Sequence, residues 1–180
     1  MSLVENKALE EKKDLNSYLT FKLDEEYFAL NVLKVIEILE VPQITKIPRS
    51  PDYMAGIINL RGKVLPLVDT KVKFGLPPIE YTINTCIIVI EINVEGELLQ
   101  VGTLVDEVLE VIEIEKNEIQ PSPSIEAKYN LEFIEGMFRK DENFIMLLDL
   151  DKVFSIQDYS YMQSNSDTND SDSKKLPESK

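Results

Sequence analysis

At 180 residues the chain is long enough for one domain or two small lobes, and it can bury a core without covalent staples. Its formal net charge of −14 sits mostly in the body rather than the tails, which disfavours direct binding to phosphate backbones or anionic lipid surfaces. A single cysteine, Cys86, rules out an intramolecular disulfide, and with no histidine present, zinc and iron–sulfur sites are excluded too, so no metal or cofactor is expected.

Residues 1–15 are charged, with weak helical character, and read as a flexible N-terminal segment. From 16 the pattern is that of strands. Ser17–Leu23 alternates, Asp24-Glu25-Glu26 turns the chain, and Tyr27–Asn31 returns. Leu33–Leu39 has apolar spacing that fits either a short helix or a strand. Pro42, Pro48 and Pro51 enforce an irregular loop. A hairpin is then predicted over Gly56–Val68, with Arg61 and Gly62 at its tip. Asp69 is placed to cap a brief helix, Thr70–Phe74, that stops at Gly75. Two further hairpins follow: Thr85–Val94 with Leu98–Val105, and Phe133–Arg139 with Phe144–Leu148. Asp149 precedes a last helical stretch, Leu150–Phe154. The polar tail, 159–180, is expected to be disordered, its composition turning fully polar from about Gln163. Within it, Asp167 to Glu178 has a superficial calcium-loop spacing, but Asp172 replaces the required glycine and Pro177 breaks the helix entry. No apolar run exceeds five residues, far short of the roughly 20 that a spanning helix needs, and no charged-then-apolar leader opens the chain. A cytoplasmic location is expected.

The chain also echoes itself. Val35-Ile36-Glu37-Ile38-Leu39 returns as Val108-Leu109-Glu110-Val111-Ile112, and Pro48-Arg49-Ser50-Pro51 as Pro121-Ser122-Pro123. The hairpin from Gly56 through Asp69 to Phe74 returns from Gly136 through Asp149 to Phe154. Two similar sets of about five short strands predict a mainly β protein built of two small barrels. The domain is placed at 16–158, with lobes at roughly 17–80 and 85–155 and interleaving left open.

Catalytic patterns are missing. There is no Gly-rich phosphate loop and no Gly-x-Ser-x-Gly elbow. Acidic pairs such as Glu25-Glu26 and Asp106-Glu107 read as turns and solvated faces, and Cys86 reads as a buried, inert thiol in an apolar run. What remains is a binding surface, and the chain is expected not to be an enzyme. Arginine is scarce, occurring only at 49, 61 and 139, and offers a planar fork that lysine lacks. The echo suggests one acid–arginine pair in each half: Glu37 with Arg61, and Glu110 with Arg139.

Gly56-Ile57-Ile58-Asn59-Leu60-Arg61-Gly62, followed by Val64–Asp69 and Phe74-Gly75-Leu76, resembles the signature of the CheW family of chemotaxis coupling proteins. Glu26–Leu30, Val35–Leu39, Ile44–Pro51, Val105–Val111 and Ile119–Pro123 agree, so that the likeness runs from about Ser17 to Phe154. Asp69-Thr70-Lys71 departs from it, standing where many members have Asp-Leu-Arg. The resemblance implies two intertwined five-stranded SH3-like barrels with short helices. It implies an adaptor that joins chemoreceptors, through the helical tip of their cytoplasmic part, to the regulatory domain of a CheA-type histidine kinase. Such an adaptor reaches membrane receptor arrays only through its partners. Carried over residue by residue, it puts the receptor contact at Val35, Glu37, Gly56, Asn59, Arg61 and Gly62, and the kinase contact at Gly102, Val105 and Val108. Three rival readings are an adaptor for a pilus-motility or other signalling pathway, an acidic β-barrel hydrolase, and a free-standing SH3-like peptide binder. The last would need an exposed aromatic shelf.

Overall fold

Ten strands and a few single-turn helices make up the computed structural model, which describes residues 15–121, 132–155 and 157–162. The strands are β1 (Leu15–Leu23), β2 (Glu26–Asn31), β3 (Val35–Glu40), β4 (Met54–Leu60), β5 (Lys63–Asp69), β6 (Cys86–Val94), β7 (Glu97–Val105), β8 (Glu107–Glu115), β9 (Ile134–Lys140) and β10 (Asn143–Leu148). Two α-helical turns, α1 (Thr70–Lys73) and α2 (Leu150–Val153), follow β5 and β10. The ambiguous stretch near Leu33 resolves into a 3-10 turn over Val32–Lys34 and then β3. Asn31 caps that turn through its side chain, and the β-branched run after it takes extended backbone. Asp69 caps α1 as expected, its Oδ1 accepting from the N–H groups of Lys71 and Val72.

The strands form two five-stranded sheets, ordered β8-β1-β2-β10-β9 and β3-β6-β7-β5-β4. Both have the same plan. A hairpin occupies the second and third places, its later strand runs parallel to the first-named strand of a second hairpin, and a lone strand flanks the other side. The lobes are therefore not the contiguous stretches 17–80 and 85–155. The chain divides into a unit of 15–35 with 107–153 and a unit of 36–106 with 154–162. The β1–β2 hairpin sits beside β8 and β10 of the later half, while β6–β7 sits beside β3 and β5 of the earlier half. The two hairpins have been exchanged.

Each unit has its own core. In the first, Tyr18, Ala29, Ile114, Ile145 and Leu147 are buried together. In the second, Ile58, Leu65, Leu67, Ile79, Ile87, Val89 and Leu104 are. Asp69 extends this second core to polar work, its Oδ2 accepting from the Ile79 N–H at 2.9 Å and tying the Pro77-Pro78 connector down. β6 is buried on both faces through Ile87–Ile90, as an unbroken apolar run predicts.

Residues 159–162, the first of the stretch placed in a disordered tail, are instead helical together with 157 and 158, and Asp158 and Met162 are buried. Lys73 Nζ lies 2.6 Å from Asp158 Oδ2 and 4.2 Å from the centre of the Tyr53 ring, so the end of the second unit is anchored by a buried ion pair and a cation–π contact. Burial pushes the Tyr53 phenol well above its ordinary range, and its bond to Asp158 pushes it the same way. Residues 1–14, the polar tail from Gln163 with its calcium-like spacing, and Ser122-Pro123 lie outside the described residues.

Candidate functional site

In the second unit β3 and β4 stand at opposite ends of the sheet. Arg61, in the turn between β4 and β5, reaches Glu37 on β3 with both terminal nitrogens: Nη1 to Oε1 at 3.1 Å and Nη2 to Oε2 at 2.7 Å. The predicted first pair is thus present, as a bidentate fork bridging the ends of the sheet. Its hydrogen bond, and then the charge of Glu37, raise the Arg61 pKa further. Arg61 keeps 75% of its side chain exposed and Glu37 only 22%, so the carboxylate serves as anchor and the guanidinium as the displayed group.

Beside this pair lies an open cleft of about 360 Å³, whose apolar wall is made by Ile36, Leu60, Val64, Pro66 and Leu99. Ile36 and Ile38, on one face of β3, are each 45% exposed. Period-2 alternation sends these two outward while Glu37 turns to the other side. The apolar V-x-E segment therefore splits between covered and solvent-facing positions.

The six residues assigned to the receptor contact do different things. Glu37 and Arg61 form the pair, and Val35 opens the same strand half-buried. Asn59 and Gly62 are exposed and bonded to each other, Asn59 Oδ1 accepting from the Gly62 N–H at 2.8 Å. Gly56 is buried, and a Cβ there would lie 2.3 Å from the Thr45 carbonyl oxygen. The lack of a side chain lets β4 approach the Thr45 backbone closely there. Of the residues assigned to the kinase contact, Gly102 and Val105 are buried. Gly102 packs on Ile87, Leu67 and Leu65. Only Val108, half-buried on β8, has surface to offer.

The second predicted pair is not formed. Glu110 on β8 pairs with Lys140, while Arg139 Nε donates to the Asp141 carbonyl at 3.3 Å. The register explains the error. Leu60 pairs with Lys63 at the end of one hairpin and Lys140 with Asn143 at the end of the other. Lys140 is therefore the counterpart of Leu60, Asp141 of Arg61 and Arg139 of Asn59. Both tip residues have positive φ, 52° at Arg61 and 56° at Asp141. The Asp69-to-Asp149 spacing of 80 already contained this alignment, since 61 plus 80 is 141. Chemical likeness between two arginines concealed it. The pairing of an acid on the lone flanking strand with a base on the opposite hairpin recurs in both units, through a lysine in the first.

An exposed guanidinium, held rigid by a half-buried carboxylate beside a shallow apolar cleft, defines a protein-binding scaffold. The sequence profile of the CheW-like domain matches residues 17–158, and the chain belongs to that family. It is 34% identical over 137 residues to the probable chemotaxis protein CheW of Rhizobium etli, covering 76% of this chain and 86% of that one. It is 31% identical to the chemotaxis protein CheW of Klebsiella aerogenes, covering 78% and 82%. The crystal structure of the scaffolding protein TtCheW from Thermoanaerobacter tengcongensis superposes with a TM-score of 0.68 at 35% identity, covering 79% of this chain and 90% of that one. The function is that of a chemotaxis scaffold. Among the described residues no helix is long and apolar enough to cross a membrane.

Proposed function

We propose that this chain couples chemoreceptors to a CheA-type histidine kinase by binding both, in the cytoplasm and without chemistry of its own. The receptor would dock the helical hairpin at its cytoplasmic tip against the face that carries Glu37 and Arg61, and the kinase would contribute its regulatory domain elsewhere. The single observation behind this reading is the Arg61 fork, fixed by Glu37 at the rim of an apolar cleft. A helical ligand needs an apolar trough for its buried stripe and a polar rim to set its register. Ile36, Leu60 and Leu99 offer the first, and Arg61 the second. Because Glu37 pre-orders the guanidinium, docking loses less side-chain freedom. Val108 is the remaining candidate for the kinase contact. An acidic surface suits a protein that reaches the membrane only through its partners.

The test is capture of a receptor-tip helical hairpin and of a kinase regulatory domain by the full chain. Both should bind the wild type. Arg61→Glu should weaken receptor capture by at least about tenfold, placing two carboxylates together at the rim, while kinase capture and the thermal midpoint stay nearly unchanged. Receptor capture that survives the reversal removes Arg61 from the docking face.

A further inference from the structure

The tip that carries Arg61 is a two-residue turn with positive φ at both positions, 52° at Arg61 and 83° at Gly62. That is the type I′ geometry, which matches the twist of the flanking strands and favours Asn-Gly. Glycine enters it freely. Arginine does not, because its Cβ crowds the neighbouring carbonyl. Arg61 is therefore held in a backbone region it would not choose, and the holding group is visible: Asn59 Oδ1 accepts from the Gly62 N–H at 2.8 Å and closes the turn from beneath.

Among the described residues the same device occurs once more. At the β6–β7 tip, Asn93 Oδ1 accepts from the Gly96 N–H at 2.8 Å, with φ of 51° at Glu95 and 87° at Gly96. The frames Asn59-Leu60-Arg61-Gly62 and Asn93-Val94-Glu95-Gly96 agree in backbone and in the bond that closes it, and differ in the residue they display. The β9–β10 tip lacks the frame: Arg139 stands in the asparagine position and Glu142 in the glycine position, and there the acid on β8 pairs with Lys140, one residue short of the tip. At the Arg61 tip, where the Asn–Gly bond is present, the tip residue itself pairs with the flanking strand. At the β9–β10 tip, where it is absent, the neighbouring Lys140 does.

We propose that Asn59 is a positioning residue for Arg61 rather than a partner contact. Asn59 and Gly62 hold the backbone that aims the guanidinium at Glu37, and the partner reads Arg61 and not Asn59 or Gly62. This rests on Arg61 belonging to the docking face. The frame is a general mount, used at 93–96 to display Glu95 instead.

The test measures binding of the full chain to a receptor-tip helical hairpin fragment for Asn59→Ala, Asn59→Asp, Arg61→Ala and the Asn59→Ala/Arg61→Ala double variant. Asn59→Ala should weaken binding about three- to tenfold, the scale of one lost hydrogen bond. Asn59→Asp keeps the acceptor oxygen and should bind nearly as the wild type does. In the Arg61→Ala background, Asn59→Ala should cost nothing more, because its effect passes through the missing guanidinium. Asn93→Ala should speed amide exchange at Gly96 and leave binding unchanged. An Asn59→Ala penalty of equal size in both backgrounds means direct contact and overturns the proposal. So does an Asn59→Ala variant that binds normally while Arg61→Ala does not. If Arg61→Ala itself binds normally, the docking reading fails instead, and the positioning role is decided by NMR. Faster exchange at Gly62 with loss of the ordered Arg61 guanidinium signals in Asn59→Ala supports it, and unchanged guanidinium signals overturn it.

Discussion

Replacing Gly56 by alanine probes how the outer edge of β4 is held. The residue has φ of +145°, and an added Cβ would lie 2.3 Å from Thr45 O and 2.7 Å from Ile44 Cγ2. The carbonyl cannot swing aside, because it accepts from the Ile57 N–H at 2.8 Å while the Thr45 N–H donates to Ile57 O at 2.9 Å. Relief requires this bridge to open, at roughly 0.5–1.5 kcal/mol for each of two hydrogen bonds. The unfavourable φ adds roughly 1–3 kcal/mol. The sum is about 2–6 kcal/mol, and at roughly 2–4 °C per kcal/mol for a chain of this length the midpoint should fall by about 8–16 °C near the centre of that range. Gly136→Ala supplies the internal control. It occupies the matching place on β9, beside the Gln120–Met137 bridge, but its φ is not in the positive range. Its added Cβ would meet the Ile119 Cγ2 methyl at 2.6 Å and Gln120 O only at 3.0 Å, so relief calls for a side-chain shift at Ile119 rather than an opened bridge. Gly136→Ala should cost about half as much. Thermal and urea unfolding followed by circular dichroism would measure both. A Gly56→Ala loss under about 1 kcal/mol, or a Gly136→Ala loss at least as large, would refute the claim that backbone contact and φ together set the cost.

Asp158→Asn should destabilise the chain by about 1–3 kcal/mol by leaving Lys73 without its charged partner in a largely buried setting. Burial pushes the Asp158 carboxyl up, but bonds from Lys73, the Ser155 N–H and the Tyr53 hydroxyl outweigh it and hold its pKa below the ordinary value. The stability it contributes is therefore present above the ordinary carboxyl range and lost as pH falls through the lowered folded pKa. The gap in urea midpoint between wild type and Asp158→Asn should stay level from neutral pH down to about pH 4, then close. Met162→Ala removes a side chain with no exposed surface and should cost about 2–4 kcal/mol by calorimetry, whereas an unchanged midpoint would mean the 157–162 turn contributes no packing. Lys140→Ala should cost less than about 1 kcal/mol in the same assay, since its side chain and that of Glu110 are 40% and 57% exposed.

Much of the site was legible beforehand because its signals are local. Gly62 after Arg61 marks a tight turn, the apolar alternation on either side marks a hairpin, and a lone arginine at such a tip marks a displayed group. Glu37 could be named as its partner because the V-x-E echo gave a second place to look. The Arg139 assignment failed because it matched residue type instead of register. The burial of Gly102 and Val105 was not foreseen, because a residue's place in a strand pattern does not say which face is covered. The Asn59–Gly62 bond was not foreseen, although the spacing of the two residues already suits a side-chain bond across the turn. The anchoring of 157–162 was missed because Asp158 reads as one more acid before a polar tail, and only Lys73, 85 residues earlier, makes it structural.

The strands, their turns, both aspartate caps and the existence of a duplication follow from the chain alone, since each depends on neighbours within a few residues. The exchange of hairpins does not. β1–β2 and β6–β7 are both hairpins of short apolar strands, and nothing in their local spacing says which V-x-E strand each lies beside. That choice is made by which apolar faces fit across a hundred residues of chain, as in the Tyr18, Ile114 and Leu147 cluster. Side-chain volume and long-range register decided it, and neither is expressed in local spacing.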